Sequence, residues 1–197
     1  RQSQVNWASL LPALNRGDFH MAMNGIEWTA ERALEVDFSD PYYIYSQQLV
    51  VRSDEGAIHK LSDVVGKQVG TLGGTVSHNI LQSLPGVRIK IYEGQVEPYR
   101  DLKLGRLDAV LMDSPIAAYY ARPNPALKYA GQAIGENVYA IAFRKGDATF
   151  REQINRAIND LFRSGELQSI YERWGLWNPS QTRLTSVSPK TPDGNRA

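Results

Sequence analysis

The spacing of apolar residues changes period repeatedly along the chain, and each period predicts an element. Residues 8–14 (Ala-Ser-Leu-Leu-Pro-Ala-Leu) read as a short helix, stopped by the turn residues Asn15-Arg16-Gly17. Phe19, Met21 and Met23 alternate with His20, Ala22 and Asn24, the pattern of a half-buried strand ending at Asn24-Gly25. Residues 29–35 predict a helical turn and residues 47–52 a second strand. Strands and helices then take turns: strand 68–71, helix 75–84, strand 87–92, helix 98–104 closed by Gly105, and strand 107–112. Ser114-Pro115 makes an N-cap and first-turn pair for the next helix. A strand over 138–144 follows. Asp147 is placed to cap a long helix carrying Phe150, Ile154, Ile158, Leu161 and Phe162 on one stripe. Gly165 ends that helix, and a last one covers 166–174.

This alternation predicts α/β lobes with mainly parallel sheets. From Asn178 onward Pro, Ser, Thr and Gln dominate, so residues 178–197 are expected to be a disordered tail or linker. No internal repeat is present. The 197 residues suffice for one large domain or two small lobes with real cores. With 42% apolar and 22% charged residues the composition is that of a globular protein. A net charge of +1, with acids and bases mixed, gives no electrostatic footing for nucleic acid or an anionic membrane. The absence of cysteine excludes disulfides, thiolate metal sites and a cysteine nucleophile. No apolar run is long enough to span a bilayer. The sequence starts at Arg1 without a signal-peptide pattern.

Three segments carry candidate chemistry. In Asn24-Gly25-Ile26-Glu27-Trp28-Thr29-Ala30-Glu31-Arg32 a strand ends in Gly and a Thr precedes a helix, which presents backbone N–H groups to an anion. Arg32, one turn in, can add a bidentate pair to a carboxylate. A capped surface helix with a solvated Arg32 fits the same residues. Gly70-Thr71-Leu72-Gly73-Gly74-Thr75 lets backbone approach a ligand and puts Thr75 at a helix N-terminus, without the Gly-Lys-Ser/Thr ending of a phosphate loop. A plain strand–helix turn accounts for it equally. Asp113 ends the apolar strand of Gly105-Arg106-Leu107-Asp108-Ala109-Val110-Leu111-Met112-Asp113, where an open α/β sheet places ligand-facing groups. It can accept from an ammonium or cap the next helix.

Together with Asp37-Phe38-Ser39-Asp40-Pro41-Tyr42-Tyr43 and Tyr139 to Asp147, these runs resemble the periplasmic solute-binding proteins for polar amino acids, family 3. The likeness extends from about Trp7 to Trp177. It implies an α/β fold of the two-lobed type II, or flytrap, kind with two hinge crossings and a first lobe incomplete at its N-terminal side. Lobe 1 would comprise residues 1–51 plus 136–177 and lobe 2 residues 52–135. The resemblance assigns Arg32 to the ligand α-carboxylate, helped by Thr29 and Thr75. Asp113 takes the α-ammonium, the Gly25 carbonyl assists, and Trp7 packs on the ligand side chain. Glu27 stands where the family commonly has Ser or Thr. Its carboxylate either favours a cationic ligand side chain or points to solvent, and solvent is the expectation. The family begins with several dozen further residues, so the resemblance implies a fragment whose lobe 1 lacks its first strand and exposes a sheet edge.

The resemblance thus implies an extracytoplasmic, monomeric binding protein that delivers an amino acid to an ABC transporter permease, separate or fused after the tail. A fused permease would make it membrane-attached. A ligand-sensing domain of a membrane receptor or sensor kinase would use the same chemistry. A cyclohexadienyl dehydratase-like enzyme would need a poised acid or base, for which Glu27 is the one unusual candidate. No catalysis, cofactor or metal is expected. His20, His59 and His78 are scattered, without a His-Glu-x-x-His or Gly-x-Ser-x-Gly motif.

Overall fold

The computed structural model describes residues 5–186. Its chain forms two compact units, dividing at Ile44/Tyr45 and again at Glu136/Asn137. In chain order the helices and strands are α1 (Leu10–Arg16), β1 (Met21–Ala22), α2 (Ala30–Glu35), β2 (Asp37–Phe38) and β3 (Tyr43–Arg52). Next come β4 (Gln68–Leu72), α3 (Val76–Gln82), β5 (Arg88–Tyr92), α4 (Val96–Lys103), β6 (Ala109–Asp113), α5 (Ser114–Tyr120) and β7 (Leu127–Tyr129). The series ends with β8 (Ile134–Tyr139), β9 (Ala142–Phe143), α6 (Ala148–Arg163) and α7 (Glu166–Arg173). Both divisions fall inside a strand, β3 and β8.

In the unit formed by the two ends of the chain, β9 lies between β1 and β2, antiparallel to both. Leu10, Leu14, Ala22, Ile26, Val36 and Ala142 form its buried core, with Trp7, Leu11, Phe19 and Phe38 packed at the margin. The strand expected over 138–144 is interrupted after Tyr139, and that expected around residues 19–23 is reduced to Met21–Ala22. On α6 the apolar stripe forms, but Phe150, Ile154, Ile158, Leu161 and Phe162 are half-buried. Asp147 occupies the cap position without a side-chain cap bond; instead its carboxylate accepts from Arg144 Nε at 3.3 Å.

The expected tail is corrected by the residues just beyond α7. Pro179–Arg183 form a 3-10 helix, and Gln181 is completely buried. Its side chain accepts from Ile44 N at 2.9 Å and donates to Ile44 O at 2.7 Å, replacing a strand partner. Asn178 caps the turn by accepting from Ser180 N at 3.0 Å. The remainder of the expected tail, residues 187–197, lies outside the described residues.

In the middle unit the sheet order is β5-β4-β6-β3-β7, with β8 also pairing β3. β4 runs parallel to β5 and β6, whereas β3 is antiparallel to β6 and β7. One face buries Leu49, Val51, Val69, Ala109 and Leu111 with Leu81 of α3. Side chains alternate along a strand, so Val50, Val110 and Met112 turn to the other face, where they are buried too. Gly70 belongs to this packing: a Cβ there would come within 2.5 Å of Leu107 Cδ1. That close approach is to the protein's own core, not to a ligand.

Candidate ligand-binding site

The candidate residues of the first unit start from an extended segment. Trp28 N donates to Val138 O at 2.9 Å and Ala140 N to Ile26 O at 3.1 Å, with Glu27 bridged to Tyr139 between them. Gly25 enters the segment at φ +63°, a conformation that favours glycine, and its N–H donates to the Tyr42 hydroxyl at 3.0 Å. Burial drives the Tyr42 pKa up to about 12, against the lowering effect of that N–H. Thr29 then caps α2, its hydroxyl accepting from Arg32 N at 3.1 Å.

This geometry brings Trp7, Glu27, Thr29 and Arg32 together. Arg32 Nη1 donates to Glu27 O at 2.9 Å and to Glu27 Oε2 at 3.0 Å. Its guanidinium carbon lies 5.4 Å from the centre of the Trp7 ring. The expectation that Glu27 points to solvent is wrong: the residue is 1% exposed. A carboxylate is costly to bury alone, and it is accommodated here by the guanidinium one turn into the following helix.

In the middle unit Thr75 lies just beyond the carboxyl end of β4, and Asp113 is the last residue of β6. These strands are parallel neighbours, so both residues lie at one edge of the sheet. Thr75 caps α3: its hydroxyl accepts from His78 N at 3.2 Å and donates to Leu72 O at 2.9 Å. Asp113 is buried and sits in the cap position of α5 without a side-chain cap bond. Ser114, expected to be that cap, is the first helical residue instead, and its hydroxyl accepts from Ser46 N at 3.2 Å.

Three further buried polar residues, Gln47, Ser77 and Thr71, lie beside them. Gln47 pairs with Asp113 across β3 and β6, and Ser77 donates to Gln47 Oε1. The polar stretch Ser46-Gln47-Gln48 inside β3 was the available signal. Thr71, fully buried, donates to Leu111 O at 2.9 Å and so ties β4 to β6. Among the described residues no three His, Asp or Glu side chains gather as a metal site would need, and no helix is long and apolar enough to cross a membrane.

Parallel strands presenting polar groups at one carboxyl edge, and a separate unit with a capped helix and a half-buried arginine, are features of an α/β protein. The chain belongs to the bacterial extracellular solute-binding proteins, family 3, which it matches over residues 1–176. It is 32% identical over 173 residues to the L-cystine-binding protein TcyJ of Escherichia coli (strain K12), covering 86% of this chain. The chain spans 65% of the length of that relative. A mutant of ArgBP from T. maritima superposes with a TM-score of 0.85 at 31% identity, over 88% of this chain and 76% of that one. The ancestral amino acid-binding protein AncCDT-1, a precursor of cyclohexadienyl dehydratase, gives 0.80 at 32% identity, over 87% and 75%. The fold is therefore the two-lobed type II periplasmic binding fold.

Proposed function

We propose that this chain binds a polar L-amino acid outside the cytoplasm and serves an ABC importer through a permease partner. The observation that carries the reading is the Arg32 cluster: a guanidinium over an aromatic ring, held by Glu27, at the start of a helix capped by Thr29. Such a guanidinium suits the flat, two-oxygen face of an α-carboxylate. In this reading Arg32 takes the α-carboxylate, the Gly25 carbonyl assists at the ammonium, and Trp7 packs against the side chain. Within the middle unit, Asp113 is an acceptor suited to an ammonium and Thr75 marks the α3 N-terminus, suited to a carboxylate. The hydroxyl proton of Thr75 goes to Leu72 O, so its share of the binding falls to backbone N–H groups. Binding without turnover fits the family, whose description is of solute binding. In this reading the protein acts as a monomer whose two lobes are the two compact units, dividing at Ile44/Tyr45 and Glu136/Asn137.

A thermal-shift screen against the standard amino acids tests this. A ligand at about 1,000 times its dissociation constant stabilises the folded state by about 4 kcal/mol, a plain rise in Tm. A rise with one or a few amino acids, stable over hours, is expected. Silence across all of them sinks the proposal, and a prephenate-like acid consumed over time replaces it with the enzyme reading.

A further inference from the structure

We propose that Glu27 is a selectivity residue whose charge makes the site reject amino acids of net negative charge. This inference rests on the reading of Arg32 as the residue that receives the ligand carboxylate. Glu27 Oε2 is 3.0 Å from Arg32 Nη1, and the Glu27 carbonyl accepts from the same nitrogen at 2.9 Å. Side-chain exposure is 1% for Glu27 and 15% for Arg32, so little water screens the pair. The backbone on either side of Glu27 is pinned by the Trp28 and Ala140 hydrogen bonds, and the carboxylate is held by Arg32. Trp7 covers the guanidinium from another side.

The pair is formally neutral, so the field around Arg32 is that of a dipole, not of a bare cation. An α-carboxylate at Arg32 gains a directional hydrogen-bonded contact and also feels the repulsion of Glu27. Every amino acid carries that group, so this part of the balance does not discriminate. A second carboxylate on the ligand side chain meets that repulsion again, and a cationic side chain meets attraction. Discrimination of this kind works by placing a charge against the wrong ligand. A plain Ser or Thr at position 27 would leave the guanidinium's charge uncancelled and lose the rejection.

The test uses L-glutamine and L-glutamate, near-isosteric probes that differ in charge, with L-arginine as the cationic third, titrated calorimetrically into the full chain. In wild type, L-glutamate is expected to bind weakest of the three. Glu27→Gln keeps the shape and an acceptor for Arg32 while removing the charge. It should raise L-glutamate affinity at least tenfold relative to the best of the other two, and Glu27→Thr should do the same by a different shape. If L-glutamate binds tightest in wild type, or if both variants leave its relative affinity within threefold, the charge role is overturned while the binding function stands. If no standard amino acid binds the wild type, the proposed function falls and this inference with it.

Discussion

Replacing Arg32 by Ala leaves the Glu27 carboxylate, 1% exposed, without the guanidinium that accommodates it. Removing one partner of a buried ion pair costs on the order of 3–5 kcal/mol, most of it the penalty of the stranded charge. Arg32→Ala should therefore lower stability in urea unfolding by about that amount, whatever its effect on ligand. Adding Glu27→Gln to the same protein replaces the stranded carboxylate with a neutral amide and is expected to recover at least half of the loss. On the proposed assignment of Arg32 to the ligand carboxylate, amino-acid affinity should fall in both by about 2–5 kcal/mol. A double variant that recovers both stability and affinity would remove Arg32 from the site. One that recovers neither would show that the Glu27 charge is not the source of the instability.

Segments of the chain make a different kind of contribution, clearest where Pro179–Arg183 dock on the first residues of β3. Gln181 supplies both a donor and an acceptor to Ile44, and its neighbours add to the anchorage: Tyr43 donates its hydroxyl to Leu176 O at 2.8 Å, and Tyr171 donates to Tyr42 O. Gln181→Ala leaves the Ile44 N–H and carbonyl buried without these partners, at about 1–3 kcal/mol for each unsatisfied group. We expect a lower Tm for this variant, and at least as large a drop when the chain is cut after Trp177; an unchanged Tm on truncation would refute the anchoring role. Composition could not reveal this, because one buried glutamine among Pro, Ser and Thr looks like a linker. Long strands and helices were legible since their periodicity is local: β4, β5, α4, β6 and α6 lie close to their expected spans. The Thr29 and Thr75 caps were legible for the same reason. What escaped is the choice a side chain makes among partners that spacing leaves open: Asp147 pairs with Arg144 and does not cap its helix, Glu27 pairs with Arg32, and Gln181 reaches Ile44 across 137 positions.

For the molecule as a whole, buried phenols set the alkaline limit, and both units carry them. Tyr42 and Tyr171 lie in the unit built from the chain ends and Tyr99 in the middle one. Burial raises the pKa of Tyr42 to about 12 and pushes those of Tyr99 and Tyr171 further up. The folded state thus holds these protons more tightly than the unfolded chain, whose tyrosines titrate near pH 10. Their contribution is complete below pH 10 and is lost as pH rises from there through the folded values, because the unfolded chain releases protons that the folded one retains. Lys90 works in the same direction: its hydrogen bond to Asp101, at 2.8 Å, raises its pKa, and the pair is lost once the ammonium deprotonates. Melting curves followed by circular dichroism should hold steady from pH 7 to 9.5 and fall steeply above pH 10. Tyr99 offers an internal control, since its hydroxyl is buried and has no hydrogen-bond partner among the described residues while its ring stacks on Tyr120 at 5.4 Å. Tyr99→Phe keeps the ring and removes a hydroxyl that is expensive to bury unpaired, so stability at pH 7 should be unchanged or higher. The same variant should lose less between pH 10 and 11.5 than wild type, because one phenol that must stay protonated has been removed. A variant that is less stable at pH 7 would mean that the hydroxyl is satisfied after all, and an unchanged alkaline slope would mean that Tyr99 does not contribute to the limit.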